Sequence, residues 1–229
     1  MHKIYTSIAP FDLKRQREAL ETWTFHGYPV ISINDKRELA GISALNDIVE
    51  IRQVSQRNIF DSTHVMIDKI FEEIRIEKEH IVVITNSDIK LIDPDVFNRL
   101  VEAVDDQLIY CKKWNYSQSG TLSIEKHGID MFMFNSKILE DIDSSTLCIG
   151  KPLWDFWLPW QFHKKKKKII SVETKFITHD YHSRNWNRHD YAKLEANYRR
   201  YPELTLLPRK ILSSTIKQSF AQSIVASYT

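Results

Sequence analysis

The stretch Ile81-Val-Val-Ile-Thr-Asn-Ser-Asp-Ile89 constrains this chain more than any other: five consecutive apolar or β-branched residues stop at polar side chains and a carboxylate. Ile81 to Thr85 reads as a strand buried on both faces, which calls for a parallel or mixed sheet covered by helices. In open α/β sheets the ligand crevice lies beyond the carboxyl ends of the strands. Asn86, Ser87 and Asp88 therefore stand where chemistry is usually done, and Asp88 is the first candidate functional residue.

The flanking sequence alternates strand and helix signals. Lys3 to Ile8 predicts a strand broken at Pro10, and 12–26 a helix stopped by Gly27. Pro29 to Ile33 predicts a second strand ending at Asn34 and Asp35. A helix is expected over about 62–75, where Val65, Met66, Ile70 and Ile74 recur at helical spacing behind Asp61 as cap. After the Ile81 strand come a Pro94 helix to about Val104 and a strand at 107–111. That βαβαβαβ order favours a mainly parallel, helix-covered sheet. Residues 113–126 are polar and read as irregular; Ile129 to Phe134 reads as a strand with Asp130 near its start, and 169–172 and 176–178 as two more.

No repeat and no Gly-, Pro- or Ser-rich linker divides the chain, so one domain is expected over 1–205. In 206–229, Leu212, Ile216, Phe220, Ile224 and Tyr228 recur at four-residue steps. They predict an amphipathic helix packed on the domain, on a partner or on a membrane.

Two side-chain clusters carry chemistry. Trp154, Trp157 and Trp160 surround Asp155, and indole faces stack on sugar rings as readily as they fill a core; both readings stand. His179 and His182, followed by Arg184 and Trp186, leave the last strand. Imidazole with carboxylate suits a divalent cation held together with nucleotide phosphates, which pairs both histidines with Asp88.

The formal charge of +2 over 229 residues excludes the global basic field of a dedicated nucleic-acid binder. Cys111 and Cys148 have no metal or redox spacing and are expected to be reduced thiols. No leader and no apolar run near the roughly 20 residues of a membrane span is visible, so a cytoplasmic protein is expected. Lys164 to Lys168 is a solvated turn on the favoured reading, with contact at the inner face of the membrane as the alternative.

Asn86-Ser-Asp88 after a buried strand resembles the Asp-x-Asp motif of GT-A fold, nucleotide-sugar-dependent glycosyltransferases. The resemblance extends to Tyr5-Thr-Ser-Ile8 with Gln16, Arg17 and Trp23, to Gly128-Ile-Asp-Met-Phe-Met-Phe134, and to Ile149-Gly-Lys-Pro-Leu-Trp-Asp-Phe-Trp-Leu158. The last two are similar to segments of bacterial polysaccharide-biosynthesis enzymes of that fold. Together they cover most of residues 3 to 190.

The resemblance implies a mixed, mainly parallel sheet flanked by helices and a metal-assisted transfer of a sugar, from a UDP-sugar by preference, to a glycan or glycolipid hydroxyl in surface polysaccharide assembly. It implies that Asp88 with His179 and His182 holds Mn²⁺ or Mg²⁺, and that Thr6, Ser7, Asn34, Asn86, Ser87 and Arg184 face the donor. Trp154 and Trp157 would meet the acceptor. Asp155 would be the general base of an inverting reaction, or Asp130 with the roles exchanged. Asn86 departs from the family, which usually carries an acid there.

Two other classes stay open. A sugar nucleotidyltransferase would share the sheet and the metal-binding acid but calls for a glycine-rich phosphate loop after the first strand, where this chain has Ala9-Pro-Phe-Asp12. A non-catalytic carbohydrate-binding relative would explain Asn86.

Overall fold

The computed structural model describes residues 2–58, 62–78, 80–117, 119–124, 129–151, 153–180 and 182. In chain order the elements are β1 (Ile4–Thr6), α1 (Leu13–Phe25), β2 (Val30–Asp35), α2 (Leu39–Ile42), β3 (Glu50–Val54), α3 (Ile67–Glu77), β4 (Ile81–Thr85), β5 (Ile89–Leu91), α4 (Pro94–Glu102), β6 (Gln107–Cys111), β7 (Trp114–Tyr116), β8 (Leu122–Ile124), β9 (Met131–Asn135), α5 (Trp154–Lys164), β10 (Lys168–Val172) and β11 (Ile177–Asp180).

Seven strands form the central sheet in the order β10-β6-β9-β4-β1-β2-β3. β9 runs antiparallel to both its neighbours and every other pairing is parallel, so the sheet is mixed and mainly parallel, as expected. Alternation along each strand divides the core in two. Tyr5, Ile31, Val82, Ile84, Leu108, Phe132 and Phe134 face α3 and α5, where Ile70, Phe71, Trp157 and Leu158 cover them. Ile4, Val30, Val83, Ile109, Met131 and Met133 face Leu20 and Trp23 of α1 and Phe97 and Leu100 of α4. All five residues of β4 are buried, the burial its composition requires.

A second sheet, β5-β11-β7-β8, stands beside the first. It corrects the reading of 113–126 as irregular: Trp114–Tyr116 pairs antiparallel with Leu122–Ile124, closed by a turn in which Gly120 takes φ 78°. Trp-Asn-Tyr and Leu-Ser-Ile each alternate, but over three residues only, shorter than the run over which alternation marks a strand.

α3 starts at Ile67 and not near Ser62. The Ile67 N–H goes to the Leu147 carbonyl (2.9 Å) and the Val65 carbonyl accepts from Ile149 (3.0 Å), so 65–67 is held extended against 147–149. Asp61, the expected cap, lies outside the described residues, as do Arg184 and all of 206–229. The lysine run makes the turn between α5 and β10, with Lys164 paired to Asp143 and Lys167 to Asp106. Among the described residues no helix is long and apolar enough to cross a membrane.

Candidate metal and donor site

The fold brings Asp88, His179 and His182 together at the carboxyl edge of β4. Asp88 sits in the turn between β4 and β5, and β11 pairs antiparallel with β5 so that His179 lies opposite Ile89. Asp88 Oδ2 is 3.3 Å from His179 Nε2 and 3.0 Å from His182 Nε2, and the three ligand atoms all lie within 4.8 Å of one another. Ligands bound at about 2.0–2.1 Å to one cation stand about 3.0–3.4 Å apart, a spacing that both Asp88–histidine distances match. Burial acts to raise the Asp88 carboxyl, but hydrogen bonds from His179 and His182, with the charges of His179 and Lys113, outweigh it and hold it well below the usual carboxylate range. The other ring nitrogen of His179 is 2.9 Å from Asn115 Oδ1.

Beside this triad lies a second polar cluster. Asp130, immediately before β9, is 4% exposed, and its Oδ1 accepts from Asn86 Nδ2 and Lys113 Nζ, both at 2.9 Å. Its main-chain carbonyl accepts from the Asn86 N–H (3.2 Å) and the Thr85 hydroxyl (2.9 Å), so the end of β4 is fastened to the start of β9. Asp130 Oδ2 is buried and has no hydrogen-bond partner among the described residues.

Asp155, in the first turn of α5, is half-buried. Removal from water and, next, the Asp130 charge push its carboxyl up to about 7, against the pull of N–H groups from Asp155, Ile129 and Phe156. Leu153 at the N-cap of α5 has φ 76°, a left-handed conformation that a branched side chain adopts only under constraint. The strained residue thus stands two positions ahead of the acid.

The donor-facing expectations divide. Asn34 is wholly buried: its amide donates to the Ile8 carbonyl (2.7 Å) and to Glu38 (2.9 Å), and its oxygen accepts from Ser32 (2.6 Å). It clamps the ends of β1 and β2. The Ser87 hydroxyl is likewise engaged, by Gln16 Oε1 at 2.6 Å. Thr6 is wholly buried and its hydroxyl has no partner among the described residues, while Ser7 is half-buried. Of the tryptophans expected at the acceptor, Trp157 is fully buried and stacked on Phe71 with centroids 6.2 Å apart, and Trp154 is 3% exposed and edge-on to Phe132.

Residue-by-residue reading gave no role to Lys113, Asn115 or Gln16. The Gln16 amide accepts from the Ala9 N–H (2.9 Å) and donates to the carbonyls of Ala9 (2.8 Å) and Phe11 (2.6 Å), fixing the loop after β1 without a glycine. On the far side of that loop Gly41 packs so closely that a Cβ there would come within 2.9 Å of Pro10.

No family model and no curated protein matches the chain. Solved structures do. HddC from Yersinia pseudotuberculosis, also solved in complex with GMP-PN, superposes with a TM-score of 0.50 at 11% identity over 86% of this chain and 100% of that one. The inositol-1-phosphate CTP transferase from T. maritima gives 0.49 at 12% identity over 86% and 96%. Mannose-1-phosphate geranyltransferase from Thermus thermophilus gives 0.40 at 8% identity over 62% of this chain, which spans 59% of that one. The chain has the GT-A-like fold of nucleotide-diphospho-sugar transferases.

Proposed function

We propose that the chain is a metal-assisted glycosyltransferase that uses a nucleotide-diphosphate sugar, a UDP-sugar by preference, to glycosylate a hydroxyl of a glycan or glycolipid in surface polysaccharide assembly. The observation that carries this reading is the Asp88–His179–His182 triad at the carboxyl edge of the sheet, with a half-buried carboxyl on Asp155 poised near neutrality in the neighbouring cluster.

Bound to these three residues, Mn²⁺ or Mg²⁺ would supply positive charge for the leaving diphosphate. The protein groups do the rest. Asp155 takes the proton of the acceptor hydroxyl as its oxygen bonds to the anomeric carbon, while the bond from that carbon to the diphosphate breaks and its electron pair leaves with the phosphate. Lys113 pairs with Asp130 at 2.9 Å in the same cluster. The loop after β1, fixed by Gln16, and the half-buried Ser7 at its start are the surfaces offered to the nucleotide.

A sugar nucleotidyltransferase is the second reading, favoured by the likeness to HddC, which was solved with GMP-PN. Against it stands the loop after β1: Ala9-Pro-Phe-Asp12 has no glycine to let main-chain N–H groups close around a triphosphate.

Calorimetric titration of UDP and GDP with and without Mn²⁺, on wild type and Asp88→Ala, tests the site. Metal-dependent binding that disappears in the variant supports it, and metal-independent binding untouched by the substitution overturns it. Incubation with nucleotide sugars then separates the readings. A glycosyltransferase releases nucleoside diphosphate, whereas a nucleotidyltransferase makes or consumes pyrophosphate.

A further inference from the structure

The geometry points to Asn115 as the positioning residue that presents His179 to the metal. The inference rests on the metal reading of the triad and assigns a role to a strand outside the central sheet. His179 is 4% exposed, so both of its ring nitrogens need partners. Nε2 faces Asp88, and Nδ1 has Asn115 Oδ1 at 2.9 Å.

The contact follows from strand register. β11 and β7 run parallel with His179 directly beside Asn115, so the two side chains rise from the same face of the small sheet. Lys113, two residues before Asn115, reaches Asp130. The segment Lys113-Trp-Asn115 thus serves both clusters, with Trp114 turned away to the Glu173 carbonyl (3.1 Å).

An amide oxygen can only accept, so it fixes the ring proton on Nδ1 and leaves the Nε2 lone pair directed at the ion that Asp88 and His182 would share. Asn115 itself ligates nothing. Losing such a partner leaves the ligand set intact but lets the ring rotate and change tautomer, which weakens metal binding by roughly 10- to 100-fold.

The test compares wild type, Asn115→Leu, which keeps volume and removes the acceptor, and Asn115→Asp, which keeps an acceptor. Titration with MnCl₂ alone reads affinity. ¹⁵N spectra of the histidine rings in metal-free protein carrying Asp88→Ala, where no carboxylate competes for the ring proton, read the tautomer above the usual imidazole titration range, with His179→Gln assigning the signal. Asn115→Leu should bind Mn²⁺ roughly 10- to 100-fold more weakly and lose the Nδ1–H preference, whereas Asn115→Asp should match wild type in both. Should the leucine variant not fold, Asn115→Ala makes the same comparison. Equal Mn²⁺ affinity in wild type and the variant lacking the acceptor overturns the inference, as does an aspartate variant as weak as the leucine one. A wild-type protein that binds no Mn²⁺ overturns the metal reading and this inference with it, while a triad that binds Mn²⁺ indifferently to residue 115 sinks the role of Asn115 alone.

Discussion

The side-chain amide of Asn86 donates to Asp130 Oδ1 at 2.9 Å, so the first polar residue past β4 is engaged by a neighbouring carboxylate. Together with the Asn86 N–H bond to the Asp130 carbonyl, it ties β4 to β9 at the floor of the site. An acid at 86 would set two carboxylates against each other in a place where Asp130 is 4% exposed.

Asn86→Asp is therefore expected to lower stability by about 1–3 kcal/mol, through a lost buried hydrogen bond and a new like-charge contact, without tightening Mn²⁺ binding. Thermal unfolding and metal titration on the same preparation check both halves. A variant that binds the ion more tightly at undiminished stability would mean that residue 86 does reach the metal.

The donor set itself predicts which ion is preferred. Mg²⁺ favours oxygen ligands and keeps its waters, whereas imidazole suits transition metals. Two histidines against one carboxylate should bind Mn²⁺ at least about tenfold more tightly than Mg²⁺, and His182→Ala should erase most of that difference. Competition titration of the two ions against wild type and variant measures it.

Asp155 makes a pH-dependent prediction with a definite sign. Its carboxyl is raised from the usual 3.8 to about 7, so the folded chain keeps a proton that the unfolded chain has lost. That contribution to stability is full below about 4 and disappears as pH rises through about 7. Asp155→Asn should thus be more stable than wild type above pH 7, the difference narrowing toward pH 4. As the base is needed ionised, wild-type kcat/KM should climb through about pH 7 and level off, and the asparagine variant should be roughly 10²- to 10⁴-fold slower. Paired denaturation curves and a pH–rate profile read both effects.

Trp157 separates a packed core from a sugar platform. Fully buried against Phe71, it should cost about 3–5 kcal/mol when replaced by alanine. The acceptor KM of the protein that still folds should stay unchanged. A raised KM with little loss of stability would restore the stacking role.

Much of the frame was legible because its physics is local. Ile81 to Thr85 can only be a strand covered twice, and the carboxylate past its end falls in the crevice on topological grounds. The union of Asp88 with His179 and His182 spans more than 90 residues of sequence and depends on β5 pairing with β11, yet the residue types suggested the pairing. For the tryptophans ring density alone left both readings open, since it looks the same in a core as on a sugar surface. The better signal was that α5 is apolar nearly all round, as a buried helix is. Lys113 and Asn115 were illegible: β7 is partly exposed and only three residues long, and what makes these residues matter is only whom they meet across strands.

Gln16 tests whether the loop after β1 is a rigid wall of the donor site. The amide of this 3%-exposed residue holds both Ala9 main-chain groups and the Phe11 carbonyl, and its oxygen takes the Ser87 hydroxyl, so one side chain joins the loop to the turn bearing Asp88. Gln16→Leu keeps the bulk but leaves several buried polar groups unpaired, a cost of about 1–3 kcal/mol. Because the loop is then free to shift while Asp155 and the triad stay in place, the donor KM should rise severalfold with kcat changed far less. Steady-state kinetics with varied donor decides it. A fall in kcat at constant KM would instead tie the loop to the reacting groups.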